Sequence, residues 1–134
     1  MSIEVPWDRL FEAATSARER AYAPYSHFQV GAAALFEGGE IFSGCNVENS
    51  SYGLTVCAER GAIGAAIAAG KRRLAAMAIV GGSAEPCPPC GMCRQVMAEF
   101  GAKELPVRLR NSAGAEARYT LGELLPNAFT KDFL

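Results

Sequence analysis

No stretch of this sequence is both long and apolar. The low-charge run Gly61 to Gly70 is rich in Ala and Gly and roughly half the length that a bilayer span requires. The first seventeen residues carry charges at Glu4, Asp8, Arg9 and Glu12 and lack the apolar core of a secretion signal, so a cytoplasmic protein is expected. Neither sign of charge is in excess: 13 Lys and Arg stand against 14 Asp and Glu. Such a chain lacks the basic footprint with which proteins neutralise phosphates, so no nucleic-acid partner is expected and a free small molecule is the better substrate. Histidine occurs once, at His27, which reads as a turn residue before it reads as a ligand. Linkers, repeats and low-complexity segments are also missing, so residues 1–134 read as one domain, long enough for one core.

What is present is a soluble, globular balance, with half the residues apolar and a fifth charged. Leu10, Ala14, Ala17 and Ala21 share a helical face between Pro6 and Pro24. Phe28–Phe36 and Glu40–Val47 flank Gly38-Gly39, a two-residue hairpin signal. A second helix is predicted from an N-cap at Thr55 to a stop at Gly70. Leu74–Val80 reads as a buried strand, and Pro88-Pro89 opens a third helix over Cys90–Phe100. Short strands at Val107–Arg110 and Ala115–Tyr119 flank the turn Asn111-Ser112-Ala113-Gly114. Thr120 with Glu123 forms a capping-box pattern for a last short helix that Pro126 stops. Alternating helices and strands imply right-handed crossovers and parallel pairing of the central strands, with the hairpin adding an antiparallel neighbour. The expected fold is α/β: a mixed sheet sandwiched between helices.

Five cysteines is an odd number, and in a chain without a secretory signal they read as reduced thiols available for metal binding or chemistry. Cys57 falls in the first turn of the second predicted helix, and Cys90 and Cys93 in the first turn of the third. Residues three apart share a helix face, so Cys90 and Cys93 can chelate one ion, and helix N-termini favour thiolates. Cys87 also stands in a C-x-x-C spacing with Cys90, but it precedes Pro88, which pushes it out of helical geometry and onto the loop. Three thiolates leave a tetrahedral zinc one open position, the mark of a catalytic site. Glu59, two residues past Cys57, can meet such an ion only if the metal sits over the helix end, where a carboxylate would shuttle protons for an activated water. Arg60 and the helix ends would offset the excess negative charge. A lone C-x-x-C also suits a thioredoxin-like redox pair or half of a zinc knuckle. No other thioredoxin feature is present, and no fourth Cys or His stands at ligand spacing. Cys45, inside a predicted strand, reads as a small buried hydrophobe.

With these residues in hand, the chain resembles the zinc-dependent cytidine deaminases, in the small-subunit branch of homotetrameric enzymes. Nearly the whole length carries the likeness: Tyr25-Ser26-His27-Phe28-Gln29-Val30-Gly31, Gly44-Cys45-Asn46-Val47-Glu48-Asn49, Ser51-Tyr52-Gly53, Cys57-Ala58-Glu59-Arg60, Pro89-Cys90-Gly91-Met92-Cys93-Arg94-Gln95, and Glu123-Leu124-Leu125-Pro126 with Phe129. The resemblance implies a three-layer α/β/α sandwich around a mixed five-stranded sheet, with one zinc per chain on Cys57, Cys90 and Cys93. It implies attack of activated water on C4 of cytosine, with Glu59 carrying protons to N3 and to the departing ammonia. Phe28 would pack on the pyrimidine, Asn46 and Glu48 would bind the ribose hydroxyls, and the Ala58 amide would reach the base carbonyl. Tyr52 belongs to the same implied substrate-binding set, and Phe129 would close an adjacent subunit's site in a homotetramer. The implied activity converts cytidine and 2′-deoxycytidine to their uridine counterparts in pyrimidine salvage. The chain departs from the family pattern at Pro88, where Ser is usual, with Cys87 just ahead. Two other readings stand beside this one: a deaminase of another aminated pyrimidine, and a non-catalytic zinc module for protein contacts. Asn46 with Glu48 favours an unmodified sugar, and Glu59 beside an open metal position disfavours the module.

Overall fold

The structure, a computed structural model, describes residues 4–134; the first three residues of the expected domain and of its charged N-terminus lie outside that span. Its elements in chain order are α1 (Trp7–Arg18), β1 (Val30–Phe36), β2 (Ile41–Cys45), a 3-10 turn (Tyr52–Leu54), α2 (Ala58–Ala68), β3 (Leu74–Gly81), α3 (Gly91–Phe100), β4 (Pro106–Asn111), β5 (Glu116–Thr120), α4 (Leu121–Leu124) and a closing 3-10 turn (Lys131–Phe133). The strands form one sheet in the order β2-β1-β3-β4-β5.

The expected parallel pairing holds only for β3 with β4; β1 pairs antiparallel with both β2 and β3, and β5 antiparallel with β4. The reason lies in where the first crossover lands. Helix α2 returns the chain so that β3 runs in the direction of β2, but β3 settles on the far side of β1 and so opposes it. The hairpin also differs: Phe36 N–H bonds the Glu40 carbonyl across a three-residue loop, with Gly38 at φ 98° and Gly39 at φ 89°. Side chains alternate across the sheet, as the pleat requires. Ala32, Ala34 and Phe36 of β1 join Met77, Ile79, Val107 and Leu109 in a core under α2 and α3. Ala33 and Leu35 join Ala76, Ala78 and Val80 under Leu10, Phe11 and Ala14 of α1. Three layers result.

Helix α2 begins two residues later than Thr55. Val56 exchanges both backbone hydrogen bonds with Val47, at 2.9 Å each, and this bridge holds the chain extended up to Cys57, the N-cap. The helix then crosses β2 in close contact. A Cβ on Gly44 would stand 2.5 Å from both the Ala58 carbonyl and the Ala62 nitrogen, so only glycine admits this approach. Helix α1 stops at Arg18, leaving Ala21 beyond it, and Cys45 is half-buried as the last residue of β2. His27 occupies a turn at φ 57°. The Thr120–Glu123 capping box forms in both directions.

Candidate active site

Helices α2 and α3 aim their N-termini at one point, and a cysteine caps each of them. Cys57 (ψ 156°) and Cys90 (ψ 168°) are extended N-cap residues, and Cys93 lies in the first turn of α3. Their Sγ atoms all lie within 4.8 Å of one another, with Cys57–Cys90 at 3.7 Å and Cys90–Cys93 at 3.4 Å. Thiolates on a tetrahedral zinc with bonds of ~2.3 Å stand about 3.8 Å apart, so this spacing fits the ion. Cys87 is not in the group, and among the described residues no fourth Cys, His or carboxylate joins it. The donor set therefore suits a zinc with one position free for water.

Charge is arranged around these thiols. Cys57 is held down at about 5, chiefly by its hydrogen bond with Cys93, with Arg60 and Cys90 acting in the same direction against partial burial. The same bond raises the Cys93 thiol, with burial adding to it. Arg60 reaches Cys57 Sγ at 3.5 Å and the Thr55 carbonyl at 3.2 Å, each through Nη2. Its buried Nε has no partner among the described residues. Glu59, in the first turn of α2, is only 4% exposed. Burial pushes its carboxyl up to about 7, with the Cys57 charge adding to the rise and the backbone N–H of Glu59 opposing it. Late onset of α2 is what lets Cys57 and Glu59 face one site although they are two residues apart: the cysteine is outside the helical repeat.

The remaining expected residues lie on the surrounding loops. Ala58 is fully buried at the first helical position, where its N–H belongs to the unpaired set of the helix end. Asn46 is tied to the chain that carries Phe28: Nδ2 donates to the Phe28 carbonyl and Oδ1 accepts from Val30 N–H, both at 2.8 Å. Glu48 accepts from the Tyr25 and Ser26 amides at 2.9 and 3.2 Å and from the Ser26 hydroxyl. The Ser26 hydroxyl bond holds its carboxyl below the usual range, with the two amides contributing. Tyr52 is exposed, edge-on to Tyr25, and shares with Glu48 an open cleft of about 390 Å³. Phe129 is 61% exposed, stacked on Phe133, and its carbonyl accepts from Gln95 at 2.7 Å. A wider cleft, about 740 Å³, opens between Arg73-Leu74 and residues 101–103, at the opposite end of α3 from Cys90. It holds none of the three thiols, so it is not where the chemistry sits.

Sequence reasoning missed two contributors. A Cβ on Gly81, the last residue of β3, would stand 3.0 Å from Cys87 Cβ and 3.4 Å from the Phe28 ring. Gly81 thus leaves open a space that both Phe28 and Cys87 border. Asn111, at the end of β4, reaches back to the loop that carries Cys87. A Gly-Gly pair after a strand and an Asn in a turn gave no sign of either role.

Residues 6–109 match the family described as the cytidine and deoxycytidylate deaminase zinc-binding region. A cytidine deaminase of Halalkalibacterium halodurans is 50% identical over 123 residues, covering 92% of this chain and 93% of that protein. One from Mycobacterium tuberculosis is 48% identical over 135 residues, covering 98% and 95%. The crystal structure of cytidine deaminase from Burkholderia pseudomallei superposes with a TM-score of 0.87 at 54% identity, covering 91% of this chain and 98% of that one.

Proposed function

The chain belongs to the zinc-binding cytidine and deoxycytidylate deaminase family, and from that premise we propose that it hydrolyses cytidine and 2′-deoxycytidine to uridine and 2′-deoxyuridine, releasing ammonia. The observation that carries this reading is the convergence of three thiols and one buried carboxylate on the facing N-termini of α2 and α3. Cys57, Cys90 and Cys93 would hold the zinc, which would supply Lewis-acid activation of the attacking water. Glu59 is the proton carrier. It takes the proton that water gives up as oxygen adds to C4 and passes it to N3. It then delivers the second water proton to the 4-amino group, so that the C4–N4 bond breaks, ammonia leaves and the C4 carbonyl forms. Arg60 compensates the negative charge at Cys57.

Recognition is assigned to the loops. Phe28 lies against the pyrimidine face, and the free Ala58 N–H donates to the base carbonyl. Asn46 and Glu48 take the ribose hydroxyls. Glu48 already accepts from the Ser26 hydroxyl, and a sugar hydroxyl is the same chemistry in the same place. Tyr52 walls the cleft beside Glu48. The chain would act in the cytoplasm as one catalytic domain over residues 1–134, in pyrimidine salvage. We assign it a homotetramer in which Phe129 closes a neighbour's site. The exposed aromatic and aliphatic side chains Tyr22, Tyr25, Val47, Tyr52 and Leu54 around the Glu48 loop and Phe129 and Phe133 at the C-terminal end support that assembly. The reading is tested by incubating the protein with cytidine and following the absorbance loss and ammonia release, with zinc measured on the same sample. Zinc-loaded protein that releases no ammonia overturns it.

A further inference from the structure

The loop from Gly82 to Pro89 delivers Cys87 and Cys90 to the site, and its two ends are fixed by different means. Gly82 lies under Arg18, whose Nη2 would be 2.5 Å from any Cβ there, and Arg94 Nε donates to the Pro89 carbonyl at 2.8 Å. Between these ends the Ser83 hydroxyl bonds the Glu85 carbonyl and the Cys87 thiol the Pro88 carbonyl, both within the loop. Among the described residues, one side chain from elsewhere bonds this stretch. Asn111, buried at 6% exposure, donates from Nδ2 to the Ala84 carbonyl at 2.8 Å, across 27 residues of sequence. Its Oδ1 faces the other way and accepts from the Ala113 and Ala115 amides at 3.1 and 2.8 Å, closing the turn between β4 and β5. A buried amide with both ends satisfied is a rigid clamp.

We infer that Asn111 is a positioning residue: it clamps the Ser83–Pro88 loop so that Cys87 keeps its place over Gly81, where it and Phe28 border one space and set the wall on which the base would rest. The inference rests on the nucleoside-deaminase reading only for the identity of the base; the clamp itself does not.

The two halves of the amide can be separated. Asn111→Asp keeps an oxygen for the turn amides but turns a second acceptor toward the Ala84 carbonyl, so the turn survives and the loop is released. Asn111→Ser keeps a short acceptor for the turn and cannot reach Ala84. In zinc-loaded protein, alkylation of Cys87 by iodoacetamide, read by mass spectrometry, should speed up about fivefold in both variants, the change expected for one lost hydrogen bond in a local opening. KM for cytidine should rise more than kcat falls, since the wall holds the base and the proton carrier is elsewhere. An unchanged Cys87 alkylation rate in the folded variants overturns the clamp whether or not cytidine is turned over. Loss of the cooperative unfolding transition in both variants also overturns it, because Asn111 would then support the fold as a whole.

Discussion

Glu59 is buried next to a cluster of thiols, a costly place for a carboxylate unless it has work to do there. The role proposed for it, proton carrier and not ligand, gives a clean expectation. Glu59→Ala should keep about one zinc per chain yet lose about 100- to 10,000-fold in turnover, measured by metal analysis and ammonia release on one preparation. Near-parental activity would remove Glu59 from the chemistry. The thiols divide in the opposite sense. Cys93→Ala should lose the zinc, because two thiols remain where three converged, while Cys87→Ala should retain it. The reverse pattern would reassign the C-x-x-C pair. These residues were legible in the sequence because metal ligation needs particular side chains at short spacings, and the proline rule alone set Cys87 aside. Asn111 was not legible: an Asn two residues before Ala113 reads as a turn former, and its bond to Ala84 depends on tertiary placement.

At the scale of elements, the site exists because two helices start at the same place, and their starts are set by neighbours more than by caps. Thr55 is the better intrinsic N-cap, yet the Val47–Val56 bridge keeps the chain extended past it and gives the position to Cys57. Propensity lost to strand pairing, which a local pattern does not reveal. The strand order was not legible for a related reason: alternation of helix and strand fixes the direction of β3 but not which side of β1 it occupies. Element existence, by contrast, was well marked by period, glycine and proline. Gly44 tests whether helix placement matters to the site. Adding a methyl there sets a carbon 2.5 Å from the backbone of Ala58 and Ala62, and backbone atoms cannot rotate away. Gly44→Ala should therefore lower stability by about 1–3 kcal/mol, in the range of overpacking, and loosen zinc by moving Cys57. Thermal unfolding with and without added zinc measures both. A variant as stable and as zinc-retentive as the parent would show that α2 can shift on β2 without disturbing the ligands.

For the whole molecule, the question is what covers the open side of the site. Leu121 is buried and Leu124 and Leu125 are packed on the core, so α4 satisfies itself. The segment beyond it does not. Phe129 and Phe133 stack on each other at 5.9 Å while 61% and 73% exposed, and Leu134 is 95% exposed. Two aromatic rings and a leucine left in water form a patch that association would bury. If four chains assemble with closed symmetry and Phe129 enters a neighbour's cleft, removal of residues 127–134 acts at two levels. It should reduce the assembly below a tetramer in light scattering and raise KM for cytidine. The sheet and both core clusters lie within residues 10–121, so a cooperative unfolding transition should remain. A full-length protein that is monomeric at assay concentration and fully active would rule out the shared site, because each chain would then close its own cleft without a partner.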